Sequence, residues 1–267
     1  EGLGILTFYD EINFESLPRE AARQYGDGKF KGMMMAKVFC VHMISQLGYN
    51  ILFQDVDVVW YRDPIPYFLN TSMKHYDFDM YFQDDGAHSV RYAPYSPNTG
   101  FYFVRNNERT QYFFNCLIRL GDMIKQTGSH QAALTSVLNE HTSYRGLTVK
   151  IFSRDTEEFP GGYHYHRGKQ YMKDLFTGAV QPYIFHMSWT KNKENKKLFL
   201  EQLGEWYVHH QCSGGKQASQ LQKEHKSVED CCLPEPQFRC HYRDKPSKEP
   251  CPDSPAIDGD HQSWWSS

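Results

Sequence analysis

The chain has 267 residues, 23% of them charged and 15% aromatic, with a formal net charge of −3. That length can bury a full core as one large domain, or as a domain with an appendage, and the composition is globular rather than disordered. The charge balance, with no basic block, excludes the footprint of a nucleic-acid binder, and no apolar run approaches the ~20 residues that span a bilayer. The chain opens Glu1-Gly2-Leu3, without a Met or a signal sequence. Any membrane anchor or targeting segment is therefore expected outside it.

Residues 3–8 read as a strand. Ser16 is a candidate cap for a helix over residues 17–24, which Gly26-Asp27-Gly28 ends. Met34, Met35, Val38, Phe39, Val41, Ile44 and Leu47 then recur at helical spacing, and Gly48 supplies the stop. The methionines read as core filling rather than as a ligand site. After a two-residue turn, Ile51-Leu52-Phe53 reads as a short strand buried on both faces, as in a parallel sheet. The resulting strand–helix–strand unit predicts a parallel sheet with a right-handed crossover.

Tyr61 to Pro66 is extended or turn-like, fixed by two prolines. A strand is expected over 79–83, ending at Asp84-Asp85-Gly86, followed by a loop over 94–100 and a strand over 101–104. Amphipathic helices are expected over 107–125 and, shorter, over 131–138. Residues 147–152 and 183–185 read as strands and 191–204 as a basic-rich helix. There is no internal repeat. From residue 211 the composition turns to Cys, Pro, Gln and Lys with little periodicity. The expectation is a catalytic body over 1–210 and a Cys/Pro-rich tail over 211–267 strapped onto it.

Five of the seven cysteines, Cys212, Cys231, Cys232, Cys240 and Cys251, fall in that tail. The clustering reads as a disulfide staple and favours a secretory-pathway lumen. Structural zinc is the rival, but no Cys-x-x-Cys pair supports it. Adjacent Cys231 and Cys232 are expected to take different partners, with Cys212, Cys240 and Cys251 as the available mates.

The chemistry concentrates where Ile51-Leu52-Phe53 runs into Gln54-Asp55-Val56-Asp57. Ligands of open α/β sheets sit at the carboxyl ends of strands. Two close carboxylates repel unless a cation lies between them or one is protonated. Oxygen ligands of this kind suit Mg²⁺ or Mn²⁺, which commonly bring phosphates along. His186, directly after a strand, can add an imidazole ligand. Lys193, further along His186-x-x-Trp189-x-x-x-Lys193, can hold a diphosphate. In Asn98-Thr99-Gly100 the glycine allows close backbone approach to a ligand, and Asn98 and Thr99 can bond sugar hydroxyls. Asp85 is the candidate for a donor-sugar contact or an electrostatic catalytic role.

Together these residues resemble the nucleotide-diphospho-sugar transferase family, glycosyltransferase family 77. The resemblance covers roughly residues 28–207. Its most specific part runs from Gly48 to Pro64, with Lys29 to Lys37 matching the helix that enters it. Asn98-Thr99-Gly100-Phe101 resembles the family's Asn-Ser-Gly-Phe segment, and His186-x-x-Trp189 its C-terminal motif. The resemblance implies a glycosyltransferase A-type, Rossmann-like fold, with a mixed, mainly parallel sheet flanked by helices. It implies transfer from a UDP-sugar to a glycan or glycoprotein acceptor with retention, using Mn²⁺ or Mg²⁺, in the Golgi or another secretory lumen as a type II membrane protein. By position, Asp55, Asp57 and His186 would hold the metal. Asp55, Lys37, Asn98, Thr99, Gly100, Gln131, Trp189 and Lys193 would contact the donor. Two departures stand out: the chain starts after a strand that family members usually carry, and His130-Gln131 replaces a common Asp-Gln pair.

Two rival functions remain. A haloacid-dehalogenase-like phosphatase also places Asp-x-Asp after a buried strand, the first Asp being a covalent nucleophile. Here that strand is not the first, and no downstream lysine and acidic pair follows in order. The other rival is a relative that binds sugar or nucleotide without turnover.

Overall fold

The computed structural model describes residues 10–15, 17, 22–23, 25–69, 77–156, 158–190, 193–212, 228–239 and 246–247. The strand expected over 3–8, the Ser16 cap, Cys240, Cys251 and most of the tail lie outside them. Residues 17, 22 and 23, the described part of the helix expected over 17–24, are not helical. A single turn, α1 (Glu11–Phe14), precedes them instead, with Asp10 accepting from Ile12 and Asn13 amides at 2.9 and 3.1 Å.

Helix α2 (Gly28–Gln46) starts at Asp27, whose carboxylate accepts from the Phe30 amide at 2.8 Å, and stops before Gly48 at φ 88°. It buries Met34, Val38, Val41 and Ser45, which are spaced one turn apart. Four described strands make the main sheet: β1 (Ile51–Gln54), β3 (Met80–Asp84), β4 (Pro97–Val104) and β5 (Val149–Ile151), in the order β1-β4-β3-β5. The sheet is mixed. β3 and β5 pair in parallel, while β4 runs antiparallel to both β1 and β3. The parallel setting expected for Ile51-Leu52-Phe53 is therefore corrected. A three-residue apolar run signals burial but carries no direction, and β1 pairs with the later strand β4. A second, two-stranded sheet joins β2 (Val58–Trp60) to β6 (Ile184–His186), antiparallel, with Val58 opposite His186.

Side-chain alternation gives the main sheet two covered faces. Met80, Phe82, Tyr102 and Val104 point to one side, against α2, α4 (Glu108–Ile118) and α6 (His130–Tyr144). Tyr81, Phe101 and Phe103 point to the other, into an aromatic cluster with Phe68, Phe152 and Phe159. Phe68, on α3 (Ile65–Leu69), stacks on Phe103 with ring centroids 4.6 Å apart. Because both faces are covered, every residue of β4 is buried, including Pro97 to Gly100, which sequence patterning assigned to a loop.

The helix expected over 107–125 divides into α4 and α5 (Gly121–Thr127), with Leu120 at φ −91°, ψ 29° between them. Gly121, a weak helix former, sits at that break. Helix α6 is twice the expected length. Helices α7 (Gly162–Arg167) and α8 (Lys169–Phe176) are too short for a periodic signal and were not anticipated. Helix α9 (Lys193–Leu203) matches the basic-rich segment. In the tail, residues 231–237 run along 206–209: His209 N donates to Cys231 O at 2.9 Å, Leu233 N to Tyr207 O at 2.8 Å and Gln237 N to Trp206 O at 2.8 Å. A short ladder, β7 (Phe238–Arg239) with β8 (Pro246–Ser247), follows. Cys212 and Cys231 form a disulfide, and Cys232 is exposed. No helix among the described residues is long and apolar enough to cross a membrane.

Two predictions follow from the packing. Buried Asp79 accepts from Arg109 Nε and Nη2 at 2.9 and 2.8 Å, from Asn107 Nδ2 at 2.7 Å and from the Thr148 amide at 2.9 Å. Burial pushes its carboxyl up, but these donors, Arg109 first, outweigh it and hold it below its ordinary 3.8. A depressed carboxylate stabilises the fold above its unfolded value and loses that contribution as pH falls through the folded one. Stability should drop on acidification below about pH 4, and Asp79→Asn should cost roughly 2–3 kcal/mol at pH 7 while flattening that drop, read by denaturant titration across pH. Breaking the 19-residue loop with Cys212→Ala and Cys231→Ala should lower unfolding free energy by about 3 kcal/mol, and non-reducing peptide mapping should recover the Cys212–Cys231 pair.

Candidate functional site

Strand β1 ends at Gln54, and the Asp55 amide continues its ladder by donating to Gly100 O at 2.7 Å. The chain then turns through Val56 and enters β2, so Asp55 and Asp57 stand at the junction of the two sheets. Antiparallel pairing of β2 with β6 brings in His186, and the Met187 amide locks the register by donating to Asp57 O at 2.9 Å. His186 Nε2 lies 3.6 Å from Asp57 Oδ1. One ligand atom from each of Asp55, Asp57 and His186 falls within 4.8 Å of the others. Two carboxylates and an imidazole form a donor set that fits Mn²⁺ and could bind a divalent ion.

Lysines balance the carboxylates. Lys37 Nζ, from α2, meets Asp55 Oδ1 at 2.5 Å. Lys196 Nζ, from α9, donates to Asp57 Oδ2 and, at 3.2 Å, to Met187 O. Burial alone would raise the Asp57 carboxyl, but the Lys196 ammonium beside it holds it well below the usual carboxylate range. Lys193, the sequence candidate for holding a diphosphate, is exposed and pairs with Glu194 at 3.9 Å. It reaches the rim of the site, whereas Lys196, one helical turn further, reaches its floor. Sequence reasoning passed over Lys196 as one of several lysines around Lys193; the i,i+3 spacing on a helix was the available signal.

A second group adjoins the first. Asn98 Nδ2 donates to Asp85 Oδ1 at 3.2 Å, while Asn98 Oδ1 accepts from the Gly100 amide at 2.7 Å. Gln131 Oε1 accepts from the Thr99 hydroxyl at 3.3 Å. Burial pushes the Asp85 carboxyl up, and neighbouring Asp84 adds to this, against hydrogen bonds from Gln131 and Asn98. Buried His130 sets its Nδ1 3.0 Å from Met34 Sδ and leaves Nε2 without a hydrogen-bond partner. Burial, with Lys37 nearby, lowers its pKa to about 3, so it is a neutral imidazole at pH 7.

Backbone shape matters at three positions. A Cβ on Gly100 would overlap His186 Cε1 and lie 2.9 Å from Nε2, so only glycine lets the imidazole approach. A Cβ on Gly162 would overlap the Ser188 carbonyl. Trp189 holds φ 64°, a left-handed setting that costs a bulky residue roughly 1–2 kcal/mol, and such strain concentrates at functional sites.

The two groups open onto one cleft of about 790 Å³. Lys37, Asp55, Asp57, Asp85, Asn98, Thr99, Gly100, Gln131, His186, Trp189 and Lys193 all face it. So do Phe30, Met33, Tyr92 and Lys196, which the sequence did not single out, and Met34 and His130, which it named without a place in the site. The methionines assigned to core filling thus divide, Met34 being buried yet bordering the cleft that the more exposed Met33 also lines.

Known glycosyltransferases are similar in sequence to this chain. The chain is 27% identical over 206 residues to a UDP-galactose:fucoside alpha-3-galactosyltransferase of Dictyostelium discoideum, covering 71% of this chain and 30% of that protein. It is 33% identical over 193 residues to a beta-arabinofuranosyltransferase of Arabidopsis thaliana, covering 64% and 33%. A UDP-D-xylose:L-fucose alpha-1,3-D-xylosyltransferase of Arabidopsis thaliana is 31% identical over 70 residues, 26% of this chain and 17% of its own. The chain thus spans a third or less of the length of these three curated relatives. A family model described as nucleotide-diphospho-sugar transferase matches residues 4–200, well over half of the chain. This displaces the phosphatase reading of Asp55-Val56-Asp57: the chain belongs to the nucleotide-diphospho-sugar transferase family.

Proposed function

We propose that the chain is the catalytic part of a metal-dependent glycosyltransferase that moves a sugar from a UDP-linked donor to a glycan or glycoprotein acceptor, retaining the anomeric configuration. The observation that supports this most is the gathering of Asp55, Asp57 and His186 around one point, with two lysines beside it, in a cleft large enough for a nucleotide sugar. The relatives act on galactose, xylose and arabinose by name, and a pentose or hexose donor is the corresponding reading here. In this proposal the catalytic domain ends near residue 210, and the disulfide in the following segment suits a Golgi or other secretory lumen. Membrane attachment would come only through chain outside these residues.

Cleaving a sugar–phosphate bond leaves negative charge on the diphosphate. A Mn²⁺ or Mg²⁺ ion held by Asp55, Asp57 and His186 would supply charge neutralisation for that leaving group. Lys196 and Lys37 add fixed positive charge at the cleft floor, where low dielectric strengthens it. Asn98, Thr99 and Gln131 offer polar atoms to the sugar, and Asp85, raised by burial, sits within their network as the candidate for a donor-sugar contact. No protein nucleophile is assigned.

Calorimetric titration with UDP, with and without MnCl₂, tests the metal and the lysines together. Wild-type binding should strengthen with Mn²⁺, and Asp57→Ala should abolish that gain while leaving a cooperative unfolding transition. Lys196→Ala should weaken Mn²⁺–UDP binding by about tenfold, the equivalent of ~1.4 kcal/mol, and Lys193→Ala by less than about twofold. Undiminished Mn²⁺-dependent binding in Asp57→Ala excludes the assignment. Separately, early-time NMR of the glycosylated product should show the donor's own anomeric configuration; an inverted linkage excludes retention.

A further inference from the structure

We infer that Gln83 is a positioning residue: it fixes the tautomer of His186 so that Nε2 presents a lone pair to the space beside Asp55 and Asp57. The purpose of this arrangement rests on the divalent-ion reading above; its geometry does not.

The register of β3 on β4 shifts between Phe82, opposite Tyr102, and Gln83, opposite Asn98. Thr99, Gly100 and Phe101 bulge out of that pairing. Bulges re-aim side chains beside active sites, and this one leaves Gln83, 1% exposed, reaching across to the β6 segment. Its amide nitrogen donates to Phe159 O at 3.0 Å and to Pro160 O at 2.7 Å. Both partners are carbonyls, which only accept, so the amide has one permitted orientation; flipped, its oxygen would face two oxygens. Gln83 Oε1 therefore faces His186 Nδ1, at 2.7 Å. A carbonyl oxygen needs a donor, so Nδ1 carries the proton. In a neutral imidazole that leaves Nε2 bare.

The consequence is specific. Nε2 lies 3.6 Å from Asp57 Oδ1. A bare nitrogen beside a carboxylate oxygen is the wrong tautomer for a hydrogen bond between them and the right one for sharing a cation, because metal-bound histidines donate their other N–H to just such a fixed acceptor. Pro160 O also accepts from the His186 amide at 3.1 Å. One carbonyl thus holds both the backbone of His186 and the side chain that orients its ring. Opposite, the missing side chain of Gly100 gives the ring its place.

The first measurement needs no variant. In ¹⁵N-histidine-labelled wild-type protein without metal, at about pH 9, where an ordinary imidazole is neutral, long-range ¹H–¹⁵N spectra should show His186 as a single Nδ1–H species. An Nε2–H form, or a mixture of the two, overturns the assignment. The second uses Gln83→Met, close in size but without the carbonyl. It should turn the His186 signal into an Nε2–H form or a mixture and weaken binding of MnCl₂ alone by about 10- to 100-fold. A variant that keeps the pure Nδ1–H signature with unaltered Mn²⁺ affinity overturns the positioning role, however much its stability changes. If wild-type protein shows Nδ1–H yet binds no Mn²⁺, the divalent-ion reading fails and the Gln83 assignment stands.

Discussion

Three residue pairs, Val58 with His186, Val59 with Phe185 and Trp60 with Ile184, bring Asp57 and His186 together in the cleft. They join chain segments more than a hundred residues apart. A ladder this short holds only because its surroundings support it. Phe185 is fully buried against Tyr165, Met172 and Phe199, and Ile184 belongs to the aromatic cluster under the main sheet. Antiparallel pairing also fixes which face each residue shows, since a slip of one residue turns every side chain over. With Val58 opposite His186, Asp57 stands just before β2 and diagonal to His186, close enough for its carboxylate to come within 3.6 Å of His186 Nε2. The Met187 amide on Asp57 O closes the end of that register.

The cleft floor is a problem in charge compensation. Asp57 is nearly buried, and a buried carboxylate without partners would take up a proton rather than stay charged. Lys196 and Lys37 supply internal counterions from two different helices. Neither is enclosed: Lys196 keeps 35% of its side-chain surface and Lys37 25%. In the proposed function, a divalent ion that took the carboxylates would leave the same ammonium groups available to a phosphate, so that one set of charges would serve the free and the loaded cleft.

Much of this was legible in the sequence for physical reasons. The helix over Gly28–Gln46 shows itself by apolar spacing and a glycine stop, and the sheet strands by short apolar runs before polar residues. Every site residue named from the motifs faces one cleft. What the sequence concealed depends on partners distant along the chain. Ile51-Leu52-Phe53 does not say which strand it will pair with. Pro97 to Gly100 contains turn formers, yet β3 pairs with Pro97 and Asn98 and the Asp55 amide bonds Gly100 O, which draws the segment into a strand. Lys193 and Lys196 share a side of α9 and differ in how deep along it they reach, the one paired with Glu194 and the other with Asp57. Gln83 left the faintest mark, a single amide ending an apolar strand, and its meaning appears only when Phe159, Pro160 and His186 surround it.

The crowding at Gly162 has a mechanical side. Because no atom of side-chain size fits between its Cα and the Ser188 carbonyl, and the Gly162 amide bonds Ser188 Oγ at 2.9 Å, the start of α7 and the turn carrying Trp189 are in direct backbone contact. Tyr163 extends that contact by meeting the Trp189 ring edge to face. Neither segment can slide past the other without first separating, so a displacement of one must carry the other with it.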